Sequence, residues 1–333
     1  MYKRQKSTYK YSLIKAWYVA LYDVLIVGGG PAGLSAAIYS SRQGFKTGVI
    51  TIDVGGQLTL TPMIENYPGV SATSGFKLVG VMMEQASSFG AEFIYDEAME
   101  IEEADNGFRV RTRGGKTYEC RALILAFGKR PRKLKALNEE RFVGKGVSYC
   151  AVCDAPLYRN KRLLVVGWGE PALEAVSILK RYGNEVLVAH ESRRSDEFAE
   201  KLRQLKAEMI QGVKVKEIRG EDLVEEAVLE DVETGEVKVL KVDGIFVELG
   251  YVTEADWVKG FIEVNERGEI IVDELGRTSR EGVFAAGDVT NFPYKQAVIA
   301  AAQGAIAALS ASNYLRRIMG RSEIRSDWRK LMG

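Results

Sequence analysis

Two cysteines three positions apart are the residues of this sequence best suited to chemistry. Cys150 and Cys153 enclose Ala151 and Val152 in the stretch SYCAVCDAPLY, and Asp154 follows directly. A pair at this spacing serves as half of a metal site, as a structural disulfide, or as a disulfide that is made and broken during turnover.

The other potential metal ligands argue against a metal site. Structural zinc takes four cysteine or histidine ligands, usually as two close pairs. Here Cys120 and His190, which lie far apart in the sequence, would have to complete the set. We therefore predict no metal, and we interpret Cys120 as a small, partly buried apolar residue.

A purely structural disulfide is also disfavoured. Three cysteines in 333 residues cannot form a disulfide scaffold. The N-terminal stretch MYKRQKSTYKYSLIKAWYVALY runs into DVLIVGGG without a small-residue cleavage site, so we expect an extension outside the fold, no export and a cytoplasmic location. Redox chemistry remains, in which one thiolate displaces the other through a mixed disulfide. Asp154 is then either a helix or turn cap or a proton donor to a sulfur.

Two glycine-rich turns indicate how the cysteines are supplied with electrons. The stretch YDVLIVGGGPAGLSAAIYSSRQGFKTGVITID predicts a strand, a turn, a helix that ends near Gly44 and a second strand. The stretch KRLLVVGWGEPALEAVSILKRYGNEVLVAHE repeats this pattern, with an acidic residue, Asp53 or Glu191, near the end of each unit. Such turns bring the backbone and a helix N-terminus close to a pyrophosphate. Together they predict an α/β chain with two dinucleotide-binding domains, one for a flavin and one for a nicotinamide nucleotide.

Charge and hydropathy argue against nucleic acid and membranes as partners. The net charge of +1 provides no general attraction to nucleic acid or to a membrane surface. No continuous run approaches the roughly eighteen apolar residues of a membrane span. We therefore expect neither nucleic acid nor a membrane among the partners.

Four segments, in order, resemble the low-molecular-weight thioredoxin reductases, which are FAD-dependent pyridine nucleotide–disulfide enzymes. They are the first glycine-rich unit, GGQLTLTPMIENYPGV (55–70), YCAVCD (149–154) and RTSREGVFAAGDVT (277–290). The resemblance extends from about Tyr22 to about residue 318. It implies two Rossmann-like three-layer domains, with the nicotinamide domain inserted into the FAD domain, and a homodimer.

The domain limits implied by the resemblance are as follows. An N-terminal extension covers 1–21, the FAD domain covers 22–132 and 252–318, the nicotinamide domain covers 133–251, and a tail covers 319–333. The two crossings between the domains, near 129–133 and 250–253, are expected to act as hinges.

The resemblance also assigns the flavin site. The residues expected to hold FAD are Gly28, Gly30, Pro31, Ala32, Gly33, Asp53, Gly56, Gln57, Leu58, Asn66, Gly128, Gly287, Asp288, Gln296, Ala297 and Val298. In the implied mechanism Cys153 faces the flavin, Cys150 attacks the disulfide of the protein substrate, and Asp154 protonates the departing thiolate. Rotation of the inserted domain would carry the pair from flavin to partner.

The second nucleotide site departs from the family pattern. Gly167, Gly169, Ala172 and Glu174 match it, but Trp168 and Glu170 occupy places where the family usually has a small residue and Asp or Asn. Arg193 and Arg194 would bind a 2′-phosphate, although Glu191 and Ser192 separate them from the strand. Glu191 instead favours the 2′-hydroxyl of NAD. We expect NADPH, with NADH as a close alternative and reduced ferredoxin or a deazaflavin as a further donor.

The function implied by the resemblance is reduction of thioredoxin, or of a glutaredoxin-like protein, through the Cys150–Cys153 disulfide. A ferredoxin–NADP reductase of the same architecture lacks the cysteine pair. A peroxiredoxin-linked reductase carries an added thioredoxin-like module with further cysteines, which is not visible here. A non-enzymatic flavin redox sensor is the remaining alternative, and it predicts slow or no bleaching of the flavin by nicotinamide nucleotides.

Overall fold

A computed structural model describes residues 20–61, 63–193 and 196–323 of the chain. The predicted extension therefore lies almost wholly outside the described residues, as do 324–333 of the predicted tail. The first strand begins at Ala20, two residues before the expected start at Tyr22.

The described residues form seventeen strands and seven α-helices. The strands are β1 (Ala20–Gly29), β2 (Thr47–Val54), β3 (Glu92–Tyr95), β4 (Ala98–Ala104), β5 (Gly107–Thr112), β6 (Thr117–Leu125), β7 (Arg130–Pro131), β8 (Val147–Ser148), β9 (Arg162–Gly167), β10 (Glu185–His190), β11 (Glu208–Gln211), β12 (Val213–Arg219), β13 (Glu226–Asp231), β14 (Val237–Lys241), β15 (Gly244–Glu248), β16 (Tyr251–Val252) and β17 (Val283–Ala285). The α-helices are α1 (Pro31–Arg42), α2 (Gly75–Ser88), α3 (Glu139–Phe142), α4 (Ala151–Asp154), α5 (Gly169–Lys180), α6 (Asp196–Gln204) and α7 (Ala297–Ile318). Short 3₁₀ helices cover Gly56–Leu60, Ala155–Leu157 and Asp256–Val258.

The first sheet has the strand order β3-β2-β1-β6-β5-β4, and β17 also pairs with β6. Strands β3, β2, β1, β6 and β17 run parallel, whereas β5 pairs antiparallel with both of its neighbours, β6 and β4. The apolar run Val24–Val27 in β1 is buried on both faces, as is typical of a strand in a covered parallel sheet. Helices α1 and α7 cover one face of this sheet.

Helix α7 is the one helix, among the described residues, that is long and apolar enough to cross a membrane. Its alanine-rich face packs in the core, where Ala300, Ala307 and Ala311 are buried. Gly304 lies against α1 so closely that an added Cβ would be 2.0 Å from the Ala32 carbonyl oxygen. The apolarity of α7 is therefore accounted for by helix-to-helix packing.

The second sheet is parallel, with the order β11-β10-β9-β15-β8. Helices α5 and α6 pack on one face, and the antiparallel strands β12, β13 and β14 form a smaller sheet that packs on the other. This three-layer arrangement, together with the first sheet, confirms the predicted α/β fold with two Rossmann-type domains.

The two crossings between the sheets are paired with each other. Strands β7 and β16 form a two-stranded antiparallel ribbon in which Arg130 lies opposite Val252 and Pro131 opposite Tyr251. The Arg132 N–H donates to the Gly250 carbonyl at 2.8 Å. A hinge at this ribbon, and the exact domain limits, remain predictions.

Candidate active site

The carboxyl ends of parallel strands β1, β2, β6 and β17 meet at one edge of the first sheet. This edge is where nucleotides bind in open α/β sheets. A cleft of about 1530 Å³ opens there. Of the residues predicted to hold FAD, those that line the cleft are Gly28, Gly30, Pro31, Ala32, Asp53, Gly56, Gln57, Leu58, Asn66, Gly128, Gly287, Asp288, Gln296 and Ala297. Gly33 and Val298 do not line it.

The first glycine turn has the shape that a pyrophosphate requires. An added Cβ at Gly33 would lie 1.8 Å from the Gly28 carbonyl oxygen, so Gly33 allows the helix to pack on its strand. An added Cβ at Gly30 would instead point into space, with the Gly55 carbonyl oxygen at 4.0 Å as its nearest contact. The open space over Gly30 faces the cleft and leaves room for a ligand.

The electrostatics of this turn also suit an anion. Gly30 is the N-cap of α1 without a side-chain cap, Pro31 occupies the first turn, and no acidic residue lies in that turn. The N-terminus of a helix carries free N–H donors and partial positive charge. The residues present therefore fit the pyrophosphate of a dinucleotide such as FAD.

At the opposite side of the cleft, the N-terminus of α7 completes the cradle. The Asn66 amide donates to Gln296 Oε1 at 3.2 Å, which joins the segment after β2 to the start of α7. Gly287 is buried and donates its N–H to Gln303 Oε1 at 2.9 Å. Burial raises the pKa of Asp288, against the opposing effect of nearby lysines.

A buried ion-pair network that the sequence analysis missed lies beside these residues. Lys129 Nζ is 2.9 Å and Lys295 Nζ is 3.4 Å from Oε1 of Glu269, whose side chain is 8% exposed. Burial alone would raise the pKa of Glu269, but the hydrogen bond from Asn265 and the two ammonium groups lower it to about 2. Both lysines line the cleft. No sequence signal joins Lys129 to a partner 140 residues away.

The second glycine turn lies at the carboxyl edge of the second sheet. An added Cβ at Gly167 would lie 2.4 Å from the Glu248 carbonyl oxygen, so this glycine permits close strand contact. Gly169 has a φ of +71°, and an added Cβ there would meet only Pro171 Cδ, at 4.0 Å. Ala172 is buried. The geometry of this turn fits a dinucleotide. Among the residues predicted to bind the nicotinamide nucleotide, however, only Glu174 lines the cleft described above.

An aromatic stack stands over this second turn. The Trp168 ring lies 4.4 Å from the His190 ring and 4.2 Å from the Phe198 ring, measured between centroids. His190 ends β10, the strand whose end carries the adenosine ribose in such folds. Glu170 is exposed and pairs with Lys201 at 3.3 Å.

The predicted 2′-phosphate residues are differently engaged. Arg193 forms ion pairs with Asp231 and Glu233, the latter at 3.1 Å. The hydrogen bonds from the Thr234 N–H and the Arg193 guanidinium lower the pKa of Asp231 to about 2, so its carboxylate is ionised at neutral pH. Arg194 lies outside the described residues.

The cysteine pair is joined in a disulfide, with 5.3 Å between the Cα atoms. Cys150 is half-buried and lines the same cleft as the first glycine turn, whereas Cys153 is exposed. Asp154 is half-buried and ends α4. In this arrangement Cys150 lines the cleft and Cys153 does not, and the separate roles expected of the two sulfurs remain predictions. Cys120, the remaining cysteine, lies in β6 of the first sheet, where it is 1% exposed and packs in the core.

A carboxyl pair that the sequence analysis did not single out lies near the disulfide. Glu248 and Glu174 line the cleft together with Cys150 and Ala151. Burial and the Glu174 carboxylate raise the pKa of Glu248, and a hydrogen bond from the Ala151 N–H opposes them, giving about 7. The available signal was a glutamate at the end of the apolar strand GIFVE, in a sheet whose carboxyl edge carries the site.

Known proteins share this combination of folds and motifs. Residues 22–304 match the family model described as pyridine nucleotide-disulphide oxidoreductase. A component of the alkyl hydroperoxide reductase of Staphylococcus aureus is 38% identical over 301 residues, and NADH dehydrogenase of Bacillus subtilis is 38% identical over 300 residues. Each alignment covers 89% of this chain but 59% of the relative, so the chain spans less than two thirds of their length.

Among solved structures, thioredoxin reductase of Lactococcus lactis in its FR conformation superimposes with a TM-score of 0.72 and 33% identity. The match covers 89% of this chain and 99% of that chain. The similarity therefore includes both sheets and the segment that carries the cysteine pair.

Proposed function

The chain belongs to the pyridine nucleotide-disulphide oxidoreductase family, and we propose that within it the chain is a thioredoxin-disulfide reductase. Membership implies a flavin-dependent oxidoreductase that uses FAD and a pyridine nucleotide. The finer assignment is supported by the similarity to thioredoxin reductase over both sheets.

The observation that carries the proposal is a single cleft with two kinds of lining. One wall is the dinucleotide cradle around Gly30, and the other includes Cys150 of a formed disulfide. A flavin in that cradle would supply a two-electron reductant within the cleft that Cys150 lines. A non-enzymatic flavin redox sensor would not require a disulfide in the wall of its flavin cleft.

The protein residues account for the disulfide half of the reaction. Two electrons break the Cys150–Cys153 bond, and we assign to Asp154, which follows the pair directly and ends α4, the role of donating a proton to one sulfur. The resulting dithiol reduces a partner disulfide by thiolate attack through a mixed disulfide. Resolution occurs when the second cysteine attacks the first.

We assign the movement of the cysteine pair between the flavin cleft and the protein substrate to a hinge at the ribbon of β7 and β16. This ribbon is the only strand pairing between the two crossings in the described chain, and each of its strands has two residues. Short extended crossings of this kind can absorb the backbone rotation of a hinge. Rotation there would turn the pair, so that Cys153 faces the flavin in one arrangement and Cys150 faces the partner in the other.

For the electron donor we propose NADH in place of the NADPH that the arginine pair led us to expect. Asp231 and Glu233 already neutralise Arg193, which weakens its attraction for a 2′-phosphate. The sequence similarity to a protein named NADH dehydrogenase supports the same choice. The unusual Trp168 and Glu170 leave reduced ferredoxin or a deazaflavin as the competing donors.

For the partner we propose thioredoxin or a glutaredoxin-like protein. A second candidate, favoured by the 38% identity to the alkyl hydroperoxide reductase component, is a peroxide-reducing protein that receives electrons from the same disulfide. A cytoplasmic homodimer is part of the proposal and derives from the family resemblance.

The test is anaerobic stopped-flow reduction of the flavin by NADH and by NADPH, followed by steady-state reduction of thioredoxin. We expect fast bleaching by NADH and turnover with thioredoxin. Cys150→Ser with Cys153→Ser should reduce thioredoxin turnover by about 10³-fold or more while flavin bleaching is retained, since the two cysteines act together as one relay. The matched control is Cys120→Ala, which removes the remaining thiol and should leave turnover unchanged. Full thioredoxin turnover by the double variant would disprove the proposal.

A further inference from the structure

Glu248 is the ionisable group of the second sheet that lies closest, by strand register, to the cysteine pair. Strands β15 and β8 are parallel neighbours, with Ile245 opposite Val147 and Phe246 opposite Ser148. Glu248 ends β15 two residues after Phe246, and Cys150 follows Ser148 by two residues, so both lie just after the last paired residues of the two strands. Neighbouring strands are about 4.8 Å apart.

The hydrogen bonding shows that the two chain ends remain adjacent beyond the sheet. The Ala151 N–H, the first after Cys150, donates to the Glu248 carboxylate. Cys150 caps the same turn, because its Sγ accepts from the Cys153 N–H at 3.2 Å. The Glu248 carboxylate and the Cys150 sulfur thus each accept a hydrogen bond from an N–H of the same short turn.

The groups that face Glu248 come from two further elements. The Glu174 carboxylate of α5 repels the charge on Glu248, and Glu248 in turn interacts with Tyr251 of β16. On the remaining side, β9 contributes Gly167, which has no charge. Burial and Glu174 both favour the protonated carboxyl, and they give Glu248 a pKa of about 7 in the oxidised protein.

We propose that Glu248 takes up one of the two protons that accompany reduction of the Cys150–Cys153 disulfide, so that Cys150 is left as a thiolate. This inference rests on the proposed function, since it assigns a positioning residue to the same disulfide. Reduction breaks the S–S bond and adds two electrons, one proton goes to Cys153, and the second goes to Glu248. With Glu248 neutral, the N–H donors of the turn are left to the Cys150 thiolate, which is the form that attacks a partner disulfide.

The proposal predicts how the redox equilibrium depends on pH. A thiolate at Cys150 repels a second negative charge, so Glu248 stays protonated in the reduced protein to a higher pH than in the oxidised one. Below about pH 7 the oxidised protein already carries this proton, and reduction takes up one proton, by Cys153. Above about pH 7, reduction takes up two. Dithiothreitol gives up two protons when it is oxidised.

The experiment equilibrates the flavin-loaded protein with dithiothreitol buffers from about pH 5.5 to 8.5 and counts free cysteines by alkylation and mass spectrometry. The equilibrium constant should rise about tenfold per pH unit up to about pH 7 and then level off, because one proton is released below that pH and none above it. In Glu248→Gln the rise should continue, reaching about tenfold over the wild type at pH 8.

Two further variants separate proton uptake by Glu248 from a merely structural role of its side chain. Glu174→Gln removes a like charge that lies near Glu248. It should move the break, the pH at which the equilibrium constant stops rising, to lower pH without abolishing it. Glu170→Gln, an exposed carboxyl on the same helix, should leave the break in place. A break that survives in Glu248→Gln, or one that Glu174→Gln does not move, would overturn the proposal. The measurement needs neither nucleotide nor thioredoxin, so a failure of the proposed donor or partner is seen separately.

Discussion

The indole ring of Trp168 lies 4.4 Å from the imidazole ring of His190, at the strand end where the adenosine half of a dinucleotide would bind. Phe198 completes the stack from α6 at 4.2 Å. The sequence predicts a bulky residue beside a pyrophosphate, and in the fold its ring packs against His190 at the end of β10 and against Phe198.

We expect nucleotide binding to displace this ring. Each aromatic contact contributes about 0.5–1.5 kcal/mol. Trp168→Ala should therefore bind NADH and AMP about tenfold more tightly, and should lose the tryptophan fluorescence change that AMP causes in the wild type. Trp257→Phe, which removes a tryptophan near the first sheet, should keep that change. Equal or weaker AMP binding by Trp168→Ala would show that the ring supports the nucleotide.

Donor preference should depend on the acids that hold Arg193. In Asp231→Asn with Glu233→Gln the guanidinium is released to bind a 2′-phosphate. The ratio of kcat/KM for NADH to that for NADPH should fall by about tenfold, which corresponds to about 1.4 kcal/mol. Glu230→Gln is the matched control, because the neighbouring Glu230 pairs with Lys214 and Lys216. An unchanged ratio would exclude Arg193 from donor recognition.

Gly30 and Gly33 should respond differently to an added side chain. Gly30→Val fills space over the cleft, where the added Cβ meets only the Gly55 carbonyl oxygen at 4.0 Å, so the protein should fold and bind FAD at least about 100-fold more weakly. Gly33→Ala places a methyl group 1.8 Å from the Gly28 carbonyl oxygen and should destabilise the fold itself. Circular dichroism and flavin retention after gel filtration distinguish the two. A yellow, fully loaded Gly30→Val protein would refute the assignment of this turn.

Glu269 should contribute stability that depends on pH. Its pKa is lowered from 4.5 to about 2 in the folded protein, so its contribution is present above about pH 4.5 and is lost as pH falls toward 2. Glu269→Gln should lower the free energy of unfolding by about 2 kcal/mol at pH 7, and the difference should shrink by pH 3. Urea denaturation at both pH values measures it. Glu254→Gln, which disrupts an exposed pair with Arg130, should cost about 0.5 kcal/mol or less.

Local patterns in the sequence were sufficient for the fold class and the first nucleotide turn. Apolar strands, glycine turns and helix patterns are determined by residues within about thirty positions of one another, and the residues between Gly28 and Gly33 lie where the pattern places them. The cysteine pair is likewise a local feature. Its spacing alone left several uses open, and the family resemblance selected among them.

The tertiary structure decided what surrounds those motifs. The partnership of Lys129 with Glu269, the engagement of Arg193 by Asp231, and the position of Glu248 beside the disulfide each join residues from separate strands or loops. Sheet order and register set these distances, and neither can be read from one strand alone. Burial, which raises the pKa of Glu248 and would by itself raise that of Glu269, likewise arises only when the layers pack. The sequence by itself determined the motifs, and packing determined which charges they meet.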